Sequence, residues 1–256
     1  MCTLILVLTL GLALLFPTLM ITFTYPFSTK LAVFWSNYVT KRCSLRLFAI
    51  FKTYKNFRFI GDYESKKMLP EQYLVISNHQ SLIDVPVYLK FMNEKEMKFV
   101  AKDGLANVPM VGPMLKCQGH CMIPRKGATQ VAMRKLENFG KNVMKNKNAI
   151  PLIFPEGTRT KDGELGRFSS GGFRRISQTV NLPVAVCALD GGWKIGRLNG
   201  VFFKNLKNGA YRVKVLKVYD APKTKEEEMH ILEEGKELIE KQVKAWRSLP
   251  ADSIEI

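Results

Sequence analysis

The first 60 residues contain no aspartate or glutamate, and the whole 256-residue chain carries three histidines and five cysteines. Each shortage excludes something. Five cysteines (Cys2, Cys43, Cys117, Cys121 and Cys187) are odd in number and lack framework spacing, which argues against a disulfide-stapled secreted domain and for a reducing, cytosol-facing protein. The stretch "CQGHC" puts Cys117, His120 and Cys121 close together. No second Cys or His pair follows at a spacing that completes a zinc site, so these read as structural groups near a strand and no metal is expected. There is no internal repeat and no low-complexity tract. Also missing are a G-x-S-x-G elbow, a P-loop ending, and the helix-turn-helix, RNA-binding and zinc-finger signatures, so no nucleic-acid partner is expected.

What is present is positive charge. Lys and Arg number 39 against 22 Asp and Glu, a formal net charge of +17. That excess implies an anionic partner: a phospholipid surface, a phosphorylated substrate or a nucleic acid. A chain of this length buries one substantial core, so one catalytic-sized domain with an appendage is expected.

The appendage is amino-terminal. Residues 3–25, "TLILVLTLGLALLFPTLMITFTY", carry no charge and reach the ~20 residues that a helix needs to cross a bilayer core. No basic residue precedes the run and no small-x-small site closes it, which fits a cleaved signal peptide poorly. Pro17 keeps a straight span and a bent, re-entrant hairpin both open. In residues 30–59, Phe34, Trp35, Tyr38, Phe48 and Phe51 interleave with Lys41, Arg42, Arg46, Lys52, Lys55 and Arg58. This is the pattern of a helix lying in the headgroup plane. The alternative is a core-packing helix with a solvated basic face. The first 60 residues hold seven basic residues, which places the rest of the chain on the cytoplasmic side of a membrane if the first run spans. The expected organisation is therefore membrane-binding helices over 1–60 and a catalytic domain over 61–256.

From residue 71 onward, apolar runs at 73–77, 98–101, 120–123, 149–154, 183–189 and 211–219 read as strands, with helices expected at about 82–92, 104–116, 129–145 and 171–180. This alternation predicts an α/β fold, a mostly parallel sheet flanked by helices. Arg212, Lys214 and Lys217 give the last strand a polar face, as in an edge or antiparallel member. Residues 223–247 form a charged amphipathic helix, on which His230 reads as a surface residue.

Within "SNHQSLIDV" (77–85), His79 and Asp84 are five residues apart. On one continuous helix that spacing turns the side chains roughly 140° away from each other. The pair can meet only if His79 lies in a turn before the helix, with Ser81 near its cap and Asp84 in its first turn. A carboxylate on one imidazole nitrogen leaves the other free to take a proton, the logic of a general base. Taken alone, the pair reads first as structural. A second stretch, "FPEGTRT" (154–160), follows an apolar run, so Glu156, Gly157 and Arg159 stand at the carboxyl end of a strand, where α/β sheets bind ligands. Gly157 permits a sharp turn, and Arg159 can grip a phosphate with two parallel hydrogen bonds. Ser81 lies too close along the chain to make a convincing triad serine, an alternative the sequence leaves open, so the hydroxyl to be activated is expected to belong to a substrate.

"NHQSLID" and "FPEGTRT" resemble the first and third motifs of the glycerolipid acyltransferases, in particular the bacterial 1-acyl-sn-glycerol-3-phosphate acyltransferases. "KDGLANVPMVGPMLKCQGHCMIPR" (102–125) looks like that family's second motif and "NLPVAVCAL" (181–189), centred on Pro183, like its fourth. The resemblance implies transfer of an acyl chain from acyl-CoA or acyl-carrier protein to the sn-2 hydroxyl of a lysophospholipid at a phospholipid membrane, giving phosphatidic acid without metal or redox cofactor. It implies His79 as general base and Asp84 as the carboxylate that orients it. Glu156, Gly157 and Arg159 would bind the acceptor, Lys102, Gly119 and Arg125 would bind phosphate or meet charge on the thioester oxygen, and Pro183 of the fourth motif would belong to the substrate-binding set. One departure is Pro124, where the family often has an acidic residue before the arginine; the local field becomes more positive and acceptor choice can change. Other acceptors (glycerol-3-phosphate, another lysophospholipid, a lyso-aminolipid) and a non-catalytic basic lipid-binding or nucleic-acid-binding module are the alternatives.

Overall fold

In the computed structural model, residues 2–108, 111–124, 129–195 and 207–249 are described, without the side chains of 2–4, 6, 7, 10, 12–14 and 44. Among them, seven strands form one sheet: β1 Arg58–Gly61, β2 Leu74–Ser77, β3 Glu96–Lys102, β4 Cys121–Ile123, β5 Ala149–Ile153, β6 Val184–Asp190 and β7 Ala210–Tyr219. Their spatial order is β1-β7-β6-β2-β5-β3-β4. Every neighbouring pair is parallel except β6–β7, which is antiparallel.

The sheet is covered on both faces, and its central strands read accordingly as continuous apolar runs. Successive residues of β2 and β6 alternate between two cores. Tyr73, Val75, Ala185, Cys187 and Leu189 face α3 (Ser44–Lys55) and α4 (Asp84–Phe91), where Phe48, Phe51, Val87 and Phe91 wait. Leu74, Ile76, Val184, Val186 and Ala188 face α6 (Thr129–Val143), α7 (Ser170–Val180) and α8 (Lys225–Ser248). Helix α8 buries Ile231, Leu232, Gly235, Ile239, Val243 and Trp246, a spacing that follows the 3.6-residue period. Thr224 caps its start, its hydroxyl accepting from Glu227 N.

Several expectations change. The helix expected at 104–116 divides into a 3-10 turn, Asp103–Asn107, and α5, Val111–Cys117; Pro109, outside the described residues, has no amide hydrogen to continue a helix. Strand β7 lies inside the sheet between β1 and β6, so its basic pattern marks the antiparallel member and not an edge. Strand β1, unforeseen, crosses the boundary expected at 60/61 and pairs with β7 from Arg58↔Ala210 to Gly61↔Val213.

The amino-terminal stretch forms α1 (Cys2–Thr24, with Pro17 inside it), α2 (Thr29–Tyr38), a π-turn at Val39–Cys43, and α3. Phe48 and Phe51 are buried in the core of the α/β unit at 3% and 1% exposure. That overturns the headgroup-plane reading for α3, because two rings one turn apart find an apolar partner in the sheet before they reach any lipid. Phe23, Phe27, Leu31 and Phe34, on α1, the turn and α2, stay exposed. Among the described residues no helix is long and apolar enough to cross a membrane, and part of the 3–25 run lies outside the described side chains.

Candidate active site

Because β2, β5 and β6 are parallel neighbours, their carboxyl ends lie side by side. Strand β7 runs the other way, so its first residues arrive at that same edge, Arg212 opposite Asp190. The turn after β2 is fastened there residue by residue. Asn78, buried, donates from Nδ2 to Leu189 O (2.9 Å) and accepts Leu189 N at Oδ1 (2.8 Å). Gln80, also buried, donates to Leu189 O and Asp190 Oδ1 and accepts the Gly192 and Trp193 amides at Oε1. These bonds hold the backbone of His79 in a turn outside the helix.

Asp84 opens α4 with its side chain wholly buried. Its Oδ2 accepts His79 Nδ1 (2.6 Å) and Gln80 N (2.7 Å), while Oδ1 accepts Ser81 N (3.0 Å) and the Tyr211 hydroxyl. The carboxylate thus gathers the amides of the turn that precedes the helix, at a helix start that favours negative charge, while the Ser81 hydroxyl accepts Ile83 N (3.3 Å) just before α4. An ionised carboxylate can only accept, so the proton of the His79 ring sits on Nδ1 and the lone pair on Nε2. Among the described residues no hydrogen bond reaches Nε2. The ring is stacked on Phe154, centroids 4.1 Å apart and planes 9° from parallel. Geometry that a five-residue spacing forbids on a helix is achieved by the turn.

Glu156 serves a joining role. Its Oε1 accepts His79 N (2.8 Å) and its Oε2 accepts Gly166 N (2.9 Å). Burial raises its carboxyl above the usual range, partly offset by those two amides. Gly157 follows at φ +63°, a backbone region that glycine enters without a Cβ penalty. Arg159 is half-buried on the ensuing loop, and the next amide, Thr160 N, donates to His79 O (2.9 Å). The loop is also gripped from α8: Arg247 donates to Gly163 O (2.7 Å) and Glu164 Oε1 (3.0 Å), reaches Asp190 Oδ1 (3.0 Å), and lies over the Trp193 ring. His79, Asp84, Glu156, Gly157 and Arg159 therefore belong to one edge.

Lys102 ends β3. With Phe99 level with Leu152 in β5, Lys102 stands at the carboxyl edge too. Arg125 lies outside the described residues. Two expected site residues are not brought together with these. Gly119, at φ +68°, makes the turn that leads into β4, behind the edge. Pro183 precedes β6 at its amino end, where its carbonyl accepts Leu74 N (2.8 Å); the seven residues of β6, at ~3.3 Å each, separate it from the site by roughly 20 Å.

Among the described residues no group of three or more His, Cys, Asp or Glu could hold a metal ion. In the "CQGHC" stretch, His120 is committed to Phe99 N at Nδ1 (3.0 Å) and to Gln118 Oε1 at Nε2 (3.1 Å). Sequence reasoning missed Asn78, Gln80, Phe154, Tyr211 and Arg247. The first three lie within the two motifs, and an amide on either side of His79 was the available hint. Tyr211 and Arg247 carried none, since nothing local distinguishes a tyrosine in a strand or an arginine at a helix end.

The Acyltransferase family matches residues 61–190. The chain is similar to a chloroplastic 1-acyl-sn-glycerol-3-phosphate acyltransferase of Brassica napus (34% identity; 47% of this chain and 33% of that one). It is similar also to the 1-acyl-sn-glycerol-3-phosphate acyltransferase of Pseudomonas aeruginosa (34%; 48% and 47%). It spans less than half the length of these relatives. The crystal structure of the 1-acyl-sn-glycerophosphate (LPA) acyltransferase PlsC from Thermotoga maritima shares the fold, with a TM-score of 0.65 over 97% of this chain and 96% of that one, at 21% identity.

Proposed function

The chain belongs to the Acyltransferase family, and from that premise we propose that it moves an acyl chain from acyl-CoA or acyl-carrier protein to the sn-2 hydroxyl of 1-acyl-sn-glycerol-3-phosphate, giving phosphatidic acid. The observation that carries this reading is the His79–Asp84 pair with its open Nε2, set beside a loop that presents Arg159.

In this mechanism the acceptor hydroxyl lies against His79 Nε2 and gives up its proton as its oxygen attacks the thioester carbonyl. Asp84, fixed by its other donors, stabilises the imidazolium that forms. Arg159 holds the acceptor phosphate, and Lys102 faces the oxygen on which charge develops. Collapse of the tetrahedral species expels the thiolate, and the imidazolium returns the proton to the sulfur. The thiolate of the donor is the leaving group and the histidine is the base, so the reaction as written needs no metal or redox cofactor. A lipid acceptor brings the enzyme to a membrane. The exposed apolar residues of α1 and α2 and the basic amino-terminal segment support docking on an anionic surface, with the α/β unit on the cytoplasmic side.

The test is a panel of thioester donors and of acceptors, including lysophosphatidic acid, glycerol-3-phosphate, other lysophospholipids and a lyso-aminolipid, presented in liposomes. Lysophosphatidic acid is expected as the best acceptor, and His79→Ala is expected to lose transfer, on the order of a thousandfold or more, while still folding. Turnover like that of the wild type in His79→Ala would end the proposal.

A further inference from the structure

We infer that Tyr211 is a positioning residue of the acid–base pair: its hydroxyl, donated to Asp84 Oδ1 from the start of β7, completes the fixing of the carboxylate that orients His79. The inference rests on the reading of His79 as general base. Tyr211 lies outside the matched residues 61–190 and in no motif; it reaches the pair only because β7 enters antiparallel beside β6.

The surrounding backbone is shaped to admit this phenol. A Cβ on Gly192 would stand 1.9 Å from the Tyr211 hydroxyl oxygen, and a Cβ on Gly191, at φ +99°, would stand 1.9 Å from Ala210 O. The "DGGW" turn (190–193) therefore has no side chain at the two places where one would push β7 away. Tyr211 itself is wholly buried, so its hydroxyl must find a partner inside the protein. That partner is a carboxylate already facing three N–H donors, so the phenol can only donate. Burial, followed by the neighbouring Asp84 charge, pushes the phenol well above its ordinary value, which keeps the proton in place throughout the working range.

A tyrosine that only filled space would leave the pair's chemistry alone. One that donates to Asp84 spreads the carboxylate's charge. Removing the donor concentrates that charge, favours the imidazolium over the neutral ring, and so demands a higher pH before His79 can accept a proton. The other groups facing the pair are Glu156 after β5, held by the His79 and Gly166 amides; Asp190 and Cys187 on β6, the former held by Arg247 and Gln80; and Tyr88 on α4. None changes in a Tyr211 variant.

The experiment measures kcat and KM for acyl transfer to lysophosphatidic acid from about pH 5 to about pH 9, in the wild type, Tyr211→Phe and a protein carrying 3-fluorotyrosine at 211. For Tyr211→Phe the acidic limb of kcat/KM is expected to move upward by about half to one pH unit, with kcat down about tenfold and both KM values within about twofold. The fluorinated phenol keeps the volume and donates more strongly, so its limb is expected to move downward; it serves also if the phenylalanine protein fails to fold. Acidic limbs that coincide with the wild type in the folded variants overturn the inference. Its failure is separable from that of the base assignment: His79→Ala that retains turnover removes the base, whereas an inactive His79→Ala with unmoved Tyr211 limbs removes only the role given to Tyr211.

Discussion

For a single side chain the question is what fixes its orientation. The His79 ring has two restraints, the 2.6 Å bond from Nδ1 to Asp84 and the face of Phe154 at 4.1 Å. Hydrogen bonds to a charged group are worth about 1.5–3 kcal/mol each, whereas ring stacking adds about 0.5–1.5 kcal/mol. The carboxylate therefore sets direction and tautomer, and Phe154 limits tilt about that bond. Removing the wall should disorder the ring without touching either substrate's charged groups. Phe154→Ala is expected to lower kcat about tenfold with KM little changed, and Phe154→Tyr to keep most of the activity. A steady-state comparison of the two decides it; a rise in KM at constant kcat would assign Phe154 to substrate binding instead.

Between elements, the junction of the amino-terminal helices with the sheet turns on His120. Its Nδ1 accepts the amide of Phe99 in β3, so its proton is on Nε2, which donates to Gln118 Oε1. The Gln118 amide nitrogen donates in turn to Asn37 Oδ1 in α2 and to Thr40 Oγ1 in the π-turn (3.3 and 3.1 Å). This chain of bonds works only with a neutral ring. Burial, and then the nearby Lys98, lower the ring's pKa from 6.5 to about 3. The folded protein thus stays unprotonated at His120 where the unfolded chain takes a proton, so stability is lost as pH falls below 6.5 towards 3. The loss approaches ~1.4 kcal/mol per pH unit at most and less for a ring that keeps some solvent contact. Denaturant titrations at neutral pH and near pH 5 are expected to show a drop in the wild type on the order of 1 kcal/mol larger than in His120→Gln. Equal drops in the two proteins would remove His120 as the cause.

For the molecule as a whole, an apolar, charge-free start joins a chain of net charge +17. Phe23 and Phe27, at 69% and 80% exposure, lie with their rings 5.8 Å apart, and Leu31 and Phe34 are exposed as well. Each apolar side chain moved fully out of water gains about 1.5–3 kcal/mol, and the attraction of basic residues to anionic lipid adds to that and weakens with salt. Replacing Phe23 and Phe27 together with Ser is expected to weaken sedimentation with anionic vesicles at least tenfold while the thermal transition stays in place. Raising the salt should weaken the wild type as well. Vesicle binding that ignores both changes would place the docking surface elsewhere.

Some of this was legible in the residues alone. Apolar runs broken by amphipathic stretches dictate strands and helices, because each must bury its own periodic face, and two short motifs named the pair and the loop beside it. The requirement that His79 precede the helix followed from 100° per residue, without any coordinates. Other features depend on the order of strands in space, which no local pattern encodes. The separation of Pro183 from the His79 edge follows from its lying at the amino end of β6, and the burial of Phe48 and Phe51 from where α3 lands. Tyr211 and Arg247 meet the site from β7 and α8, late segments that carry no motif. Local periodicity determines which elements form; only the antiparallel entry of β7 and the packing of α8 across the sheet face, which brings Arg247 to the carboxyl edge, determine which distant side chains hold Asp84 and the Arg159 loop in place.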